Sequence, residues 1–257
     1  MQWAIDMLTT ERKALILEVL RRDGRIVAKT FSRELGVSED TIRRDLRELA
    51  GEGHLLRVHG GALPASAAVA DFATREDAAS AAKTMLGSIA ARLIRPGQIV
   101  FLDGGTTNIQ LARQLPLDLK ATIVTHSPNI AVELAHHPLI EVELIGGRLF
   151  KHSIVTVGSV AAEAISRIRT DAYFMGVTGL HPETGATTGD GEEAAIKRLI
   201  ARQSAETIVL ATREKLGVAS PYHVIPLAEI TTLVTEPNLP QEMLRPFKSQ
   251  SIDIVQV

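Results

Sequence analysis

Cysteine is absent from this chain of 257 residues. That excludes a disulfide framework, a thiolate metal site and a cysteine nucleophile, and it fits a reducing compartment, so a cytoplasmic location is expected. Aromatic residues make up only 4%, too few for a protein that works by stacking on unpaired bases. No run of about 18 uninterrupted apolar residues occurs, so no transmembrane helix is expected. The stretch Met1 to Arg22 lacks the basic-then-apolar pattern of a signal peptide. A dominant charge is also missing, since 28 Lys and Arg face 30 Asp and Glu. Residues 1–60 hold 11 basic against 10 acidic side chains, and the remainder 17 against 20. Any DNA binding must therefore rest on a local stripe of charge.

What the chain does have is 45% hydrophobic residues, enough for a packed core and for one to two domains at this length. No repeat of period 20–50 is visible. Composition changes near residue 64. Before it the chain is charged and helical in pattern. From Pro64 it turns Ala-rich, with few large apolar residues. We expect a first domain over 8–63, a linker over 64–80 and a second domain over 81–257. Met7 stands just ahead of the first helix, so Met1 to Asp6 are expected to lie upstream of the true start.

The first part reads as three helices and a hairpin. Thr10 is placed to cap a helix carrying Leu15, Ile16, Val19 and Leu20 on one face and ending at Asp23-Gly24. Val27 to Leu35 form a second helix, stopped by Gly36. Ser38 caps a third, with Glu39 and Asp40 in the first turn where the helix dipole favours acids. Thr41 stands where a full capping box would have Glu or Gln. Apolar Ile42, Leu46 and Leu49 continue this helix, and Gly51 and Gly53 end it. His54 to His59 alternates as a strand, and Gly60-Gly61 makes a hairpin turn.

Two helices joined by Gly36-Val37-Ser38 make a helix-turn-helix, whose second helix enters the major groove. With Ile42, Leu46 and Leu49 inward, Thr41, Arg43, Arg44 and Arg47 fall largely on the other faces, in i,i+3 and i,i+4 rows. Arginine grips guanine edges bidentately or takes phosphates. Arg57 and His59 on the hairpin are placed to reach the DNA backbone or minor groove as a wing. The bland alternative is a helix whose arginines pair with Glu39, Asp45 and Glu48. The agreement of turn, cap, apolar spacing and wing favours DNA.

Residues 10–61, with Ser38-Glu39-Asp40-Thr41-Ile42-Arg43-Arg44-Asp45-Leu46 and then Arg57-Val58-His59-Gly60-Gly61-Ala62, resemble the DNA-binding domain of DeoR-type transcriptional regulators. The resemblance implies a winged helix-turn-helix on operator DNA, with Ser38, Thr41, Arg43, Arg44 and Arg57 at the interface.

From about residue 98 short apolar runs alternate with helical stretches. Strands are expected at Gln98 to Leu102, Thr122 to Thr125, Val142 to Ile145, Ala172 to Gly176, Thr207 to Ala211, Leu233 to Val234 and Ile252 to Val257. Helices are expected at Ala81 to Ile94, Asn108 to Leu115, Asn129 to Ala135, Val160 to Ile168 and Glu192 to Gln203. The alternation predicts an α/β domain with a mostly parallel sheet, which binds ligands beyond the carboxyl ends of its strands. In Asp103-Gly104-Gly105-Thr106-Thr107-Asn108 a buried strand runs through two glycines and two hydroxyls into a helix. Close backbone N–H groups and a helix N-terminus make this an anion cradle in outline. A capped strand-to-helix turn would look the same. Thr125 to Asn129, Gly146-Gly147-Arg148, Gly176 to Gly179, Thr187 to Glu193 with Lys197 behind it, and Lys215 follow other strands or open helices, so a small polar ligand or a set of solvated loops is expected there.

The DeoR resemblance extends here, to about residue 236. It rests on Asp103-Gly104-Gly105-Thr106-Thr107, Thr125 with Asn129, Gly146-Gly147, and Asp171 with Phe174. The family's effector domain is similar to ribose-5-phosphate isomerases, and the resemblance implies sensing of a phosphorylated sugar or related metabolite. The expected effector contacts are Asp103, Gly104, Gly105, Thr106, Thr107, Asn129, Gly147, Thr178 and Lys215. Two aspartates of the family pattern are missing: Thr212-Arg213-Glu214-Lys215 replaces Asp-x-Ser-Lys, and Gly176-Val177-Thr178-Gly179 replaces Gly-Ala-Asp-Gly. The resemblance therefore does not carry over the identity of the ligand.

The expected function is a repressor whose operator binding is modulated by that effector, acting as a homodimer or homotetramer with no membrane partner, cofactor or metal. The alternative is a sugar-phosphate isomerase fused to a DNA-binding module. Isomerisation needs a carboxylate base, and Thr178-Gly179 cannot abstract a proton from carbon. Glu192 and Glu193 remain, more often helix caps than bases. His136-His137 lack a third ligand in sequence, and Ser127 and Ser159 lack the Gly-x-Ser-x-Gly context.

Overall fold

The computed structural model describes residues 8–65, 80–249 and 252–256. The expected linker therefore lies almost wholly outside the described residues, as does the stretch ahead of Met7. Chain order begins with α1 (Thr9–Asp23), β1 (Ile26–Val27), α2 (Ala28–Leu35), α3 (Glu39–Gly51), β2 (Leu55–Val58) and β3 (Gly61–Pro64). Ile16, Leu20, Phe31, Ile42, Leu46, Leu49 and Leu55 close one small core. The strands form a sheet in the order β1-β3-β2.

Two local expectations are corrected in this part. Thr10 does not cap α1, because the helix already begins at Thr9 and the Glu11 carboxylate accepts the Leu8 N–H at 3.1 Å. Val27 is not helical, because it pairs with Gly61 in β1–β3 and α2 starts one residue later. A Cβ on Gly61 would stand 1.8 Å from the Ile26 carbonyl oxygen. That close approach explains why a glycine follows the turn.

The second part runs α4 (Ser80–Ala91), β4 (Ile99–Leu102), α5 (Thr106–Arg113), β5 (Ala121–Thr125), α6 (Pro128–Leu134), β6 (Ile140–Leu144), β7 (Arg148–Phe150), β8 (Val155–Val157), α7 (Ser159–Ser166), β9 (Thr170–Gly176), β10 (Gly179–His181), β11 (Gly185–Thr188), α8 (Gly191–Gln203), β12 (Ser204–Leu210), β13 (Tyr222–Ile225), β14 (Thr232–Val234), α9 (Gln241–Lys248) and β15 (Asp253–Val255). Helix α4 stops at Ala91 rather than Ile94, because Arg92, Leu93 and Ile94 donate to carbonyls three residues back and tighten the last turn. Helix α5 starts at Thr106 rather than Asn108, with Ile109 N–H reaching the Gly105 carbonyl at 3.1 Å, which puts both threonines inside its first turn.

Seven strands form one sheet in the order β15-β14-β12-β9-β4-β5-β6. Every neighbouring pair is parallel. Such sheets are covered on both faces, and the central strands read as continuous apolar runs for that reason. One core gathers Phe101, Val124, Tyr173, Met175, Val209 and Leu233, and the other Val100, Leu102, Ile123, Phe174, Ile208 and Val234. From β4 the chain steps out through β5 to β6, then returns to β9 on the other side of β4. The strand order therefore reverses between β4 and β9, the place where open α/β sheets leave a crevice.

Candidate DNA-binding face and effector crevice

Ser38 sets the start of α3, its hydroxyl accepting from Thr41 N–H at 3.1 Å and lying 2.8 Å from the Thr41 hydroxyl. Ile42, Leu46 and Leu49 are buried, which turns Arg43, Arg44 and Arg47 to solvent. Two of the four acids of α3 look elsewhere. Asp45 is buried and takes Arg12 of α1 through two hydrogen bonds of 2.5 and 3.1 Å. That hydrogen bond raises the Arg12 pKa against the opposing effect of burial. Glu48 pairs with Lys13 at 2.9 Å. Only Arg43 follows the bland alternative, pairing with Glu39 at 2.7 Å. Arg44, Arg47 and Arg57 form no ion pair among the described residues. Arg57 and His59 are exposed on the β2–β3 hairpin, whose tip has Gly60 at φ 79°. These three cations, without ion-pair partners among the described residues, lie on α3 and the β2–β3 hairpin and form a face suited to a polyanion.

The crevice between β4 and β9 is built around one carboxylate. Asp103 is fully buried. Its Oδ1 accepts from Gly104 N–H and lies 2.8 Å from His126 Nε2. Its Oδ2 accepts from the Tyr173 hydroxyl and Gly176 N–H, both at 2.9 Å, and from Lys197 Nζ. Lys197 also lies 3.3 Å from Glu193, one turn earlier on α8. Burial alone would raise the Asp103 pKa, but Lys197 and His126 outweigh it and hold the carboxylate well below its ordinary value. Burial likewise pushes Lys197 down, and Asp103 with Glu193 overcome it and raise the ammonium. Burial and then Asp103 push the Tyr173 hydroxyl far up. Asp103 thus has both oxygens occupied and acts as the floor that ties β4, β5, β9 and α8 together.

The ligand-facing candidates are its neighbours. A Cβ on Gly104 would meet Val155 Cγ1 at 2.2 Å, so only glycine fits there. Gly105 has φ 114° with open space where a Cβ would stand. Thr106 and Thr107 occupy the first turn of α5, and Thr107 Oγ1 and Asn108 Oδ1 are buried without a partner among the described residues. A buried hydroxyl left unpaired is costly unless something else satisfies it. The remaining expected contacts lie outside the Asp103 hydrogen bonds, and Thr178 lines a separate cavity together with Gly189, Asp190 and Ser220. Asn129 is half-buried at the start of α6, Gly147 is exposed at φ 146° before β7, and Lys215 is half-buried in a short 3-10 turn, Arg213–Lys215. Thr178 bonds the Thr187 carbonyl and the Ser220 hydroxyl. His126, Glu193 and Lys197 fall in stretches expected to face the crevice but were not among the named effector contacts, and Tyr173 was not singled out at all. The available signal was the i,i+4 pair Glu193 and Lys197, two opposite charges on one helix face.

A model of the DeoR C-terminal sensor domain matches residues 78–237, and a model of the DeoR-like helix-turn-helix domain matches residues 12–67. The chain belongs to the DeoR family of transcriptional regulators. It is 35% identical over 97% of its length to the HTH-type transcriptional regulator GlpR of Haloferax volcanii, covering 98% of that protein. It is 34% identical over 90% of its length to the HTH-type transcriptional repressor GlcR of Bacillus subtilis, covering 89% of it. Among solved structures, ribose 5-phosphate isomerase A of Methanocaldococcus jannaschii aligns at a TM-score of 0.39 and 16% identity over 52% of each chain. As a DeoR-family protein the chain is a DNA-binding transcriptional regulator with a winged helix-turn-helix and an α/β sensor domain. Among the described residues, no helix is long and apolar enough to cross a membrane.

Proposed function

We propose that this DeoR-family regulator is a repressor that holds operator DNA through α3 and the β2–β3 wing and lets go when a phosphorylated sugar or related metabolite occupies the crevice between β4 and β9. Residues 8–63 are the DNA-binding unit, 64–80 the linker and 81–257 the sensor. The observation that carries the DNA half is the diversion of Asp45 and Glu48 onto Arg12 and Lys13, which leaves Arg44 and Arg47 for phosphates and base edges, with Ser38, Thr41, Arg43, Arg57 and His59 beside them. The effector half is supported by the unpaired Thr107 hydroxyl in the first turn of α5, where backbone N–H groups and the helix dipole favour an anion. Gly104, Gly105 and Thr106 frame that anion, Asp103 holds the frame, and Asn129, Gly147, Thr178 and Lys215 receive the sugar. One recognition helix reads few base pairs, so the working unit is a homo-oligomer on a repeated operator.

The sensor is not catalytic in this reading. Glu193, the best-placed carboxylate for a base, already faces Lys197 and accepts from Thr188 at 3.0 Å. The test is a thermal-shift screen of phosphorylated sugars and polyols, followed by anisotropy titrations on promoter DNA. A ligand that binds the native state raises its melting temperature and weakens operator binding. Thr107→Ala removes the ligand response and keeps operator affinity. Loss of operator binding in folded Thr107→Ala, with ligand affinity unchanged, would end the two-site reading. Ketose–aldose turnover by the purified protein would end the non-catalytic one.

A further inference from the structure

The small sheet β10-β11-β13 stands apart from the seven-stranded sheet and is antiparallel throughout. The segment 216–220 is fastened along it. Gly217 N–H donates to the Leu180 carbonyl at 2.8 Å, and Ser220 N–H to the Thr187 hydroxyl at 2.9 Å. A Cβ on Gly179 would stand 2.6 Å from the Val218 carbonyl oxygen, so sheet and segment make one close-packed body. That body holds the winged helix at two separated places. At the tip of the β10–β11 hairpin, Glu183 pairs with Arg25, which follows the Gly24 cap of α1. His181 stands behind this pair and is only 5% exposed. Its Nδ1 accepts from Glu183 N–H at 3.1 Å, and the ring also hydrogen-bonds the Gly24 backbone. At the second place Ala219 N–H donates to the Pro64 carbonyl at 3.1 Å, and Ala65 forms a parallel bridge with Ala219, so β3 of the wing runs on into the sensor.

We propose that this clasp sets the spacing of the operator half-sites. Arg25, Glu183 and His181 fix the angle of the winged helix on its sensor, so two joined copies present their α3 helices at one separation and one rotational phase. The inference rests on the reading of the working unit as a homo-oligomer on a repeated operator, and it involves no effector. Domains joined by so few contacts move relative to one another by default. A single contact would leave a pivot. Contacts at the α1–β1 turn and at the end of β3 leave at most rotation about the line that joins them. The clasp also leaves the reading surface open, because Arg43, Arg44 and Arg47 of α3 stay exposed.

The consequence is specificity without a base contact. Recognition helices of a dimer meet the same face of the duplex only when their half-sites are about one helical turn or a multiple of it apart. A pair of winged helices held at a fixed angle binds such a site without further ordering cost. A pair held by chain connection alone pays that cost on every site and tolerates many spacings. Arg25 and Glu183 are therefore positioning residues for operator choice, and the clasp reads distance, whereas α3 reads bases.

The test uses the full-length chain with no small molecule added. A random-sequence duplex pool is selected on the wild-type protein, and the winning site is rebuilt with base pairs inserted between its half-sites, one at a time, up to about one helical turn or ~10 bp. Affinity across this series is measured by anisotropy for the wild type, Arg25→Glu, Glu183→Arg and the double swap. We expect wild-type affinity to fall about tenfold or more at a half-turn insertion of about 5 bp and to recover near a full turn. Each single variant should flatten this profile to about threefold and lose up to about tenfold at the best spacing, since an exposed pair is worth up to about fivefold in each copy. The two single variants change charge in opposite directions, so a direct effect on attraction to DNA would drive them apart, whereas an opened clasp flattens both alike. The double swap, which restores opposite charges across the junction, should restore the profile. A wild-type profile in both single variants overturns the clasp and leaves the repeated-operator reading standing. A uniform loss at every spacing in Arg25→Glu, with Glu183→Arg keeping the wild-type profile, makes Arg25 a DNA contact and overturns the clasp. Flattening that the double swap fails to restore overturns the pair as its cause. A selected site without a repeat, or a flat wild-type profile, overturns the repeated-operator reading and the clasp with it. Should one single variant fail to fold, the other single variant and the double swap decide.

Discussion

The two halves of the molecule use charge in opposite directions. In the winged helix, Arg44, Arg47 and Arg57 point outward without ion-pair partners among the described residues, while Asp45 and Glu48 are turned onto α1. In the sensor, Asp103, Lys197, Glu193 and His126 point inward, all buried, and complete one another. Exposed cations cost the fold little and are available to a polyanion. Buried ions must be paired, and what they add is fixed geometry around the mouth of the crevice. In the reading proposed above, the outer side works through the charges themselves and the inner side through the backbone that its charges hold in place.

Breaking the inward cluster should give the largest effect. Lys197→Met leaves Asp103 and Glu193 buried without their cation, which costs about 3–5 kcal/mol and lowers the melting temperature by roughly 10 °C in a chain of this size. A melt unchanged within error would mean that the cluster is not what holds β4, β9 and α8. Arg12→Ala is the corresponding break in the winged helix, where Arg12 and Asp45 are the buried pair. It should cost somewhat less, about 3 kcal/mol, in urea unfolding followed by circular dichroism. An effect below about 0.5 kcal/mol, typical of an exposed site, would place Asp45 in solvent.

The outward charges should separate cleanly from stability. Arg44→Ala should weaken operator binding by about 1–3 kcal/mol and shift unfolding by no more than about 0.5 kcal/mol. Arg43→Ala should weaken it less, because Arg43 is already held by Glu39 at 2.7 Å. Equal losses for the two would show that the intrahelical pair does not compete with DNA. The smallest effect concerns acid. Burial holds the His181 pKa below its ordinary 6.5, with Glu183 opposing and Arg25 adding to the shift. A base with a lowered folded pKa takes up protons on unfolding, so stability falls as pH drops below about 6.5. His181→Asn should flatten that part of the curve, and an unaltered curve would show that His181 does not contribute to it.

The parts legible in the sequence were those written locally. Ser38, the apolar spacing of Ile42, Leu46 and Leu49, and the Gly60-Gly61 turn fix α3 and the wing within a short stretch of chain, so the face bearing Arg44 and Arg47 could be read directly. The parallel sheet showed as apolar runs separated by helices. The short strands β7, β8, β10, β11 and β13 did not, because three- and four-residue segments among turns carry no usable period. The role of Asp103 was illegible for a different reason. Its partners Tyr173 and Lys197 lie 70 and 94 residues away, and nothing local distinguishes a carboxylate that touches a ligand from one that holds the loop.

The most direct measurement is the salt dependence of binding to a promoter fragment, by fluorescence anisotropy, for the wild-type protein and for Arg44→Ala/Arg47→Ala. The account predicts a steep linear fall of log affinity with log salt for the wild type, and a slope smaller by roughly one unit per arginine removed, with the two proteins melting alike. Identical slopes and affinities for the two, or no binding by the wild type even in dilute buffer, would contradict it.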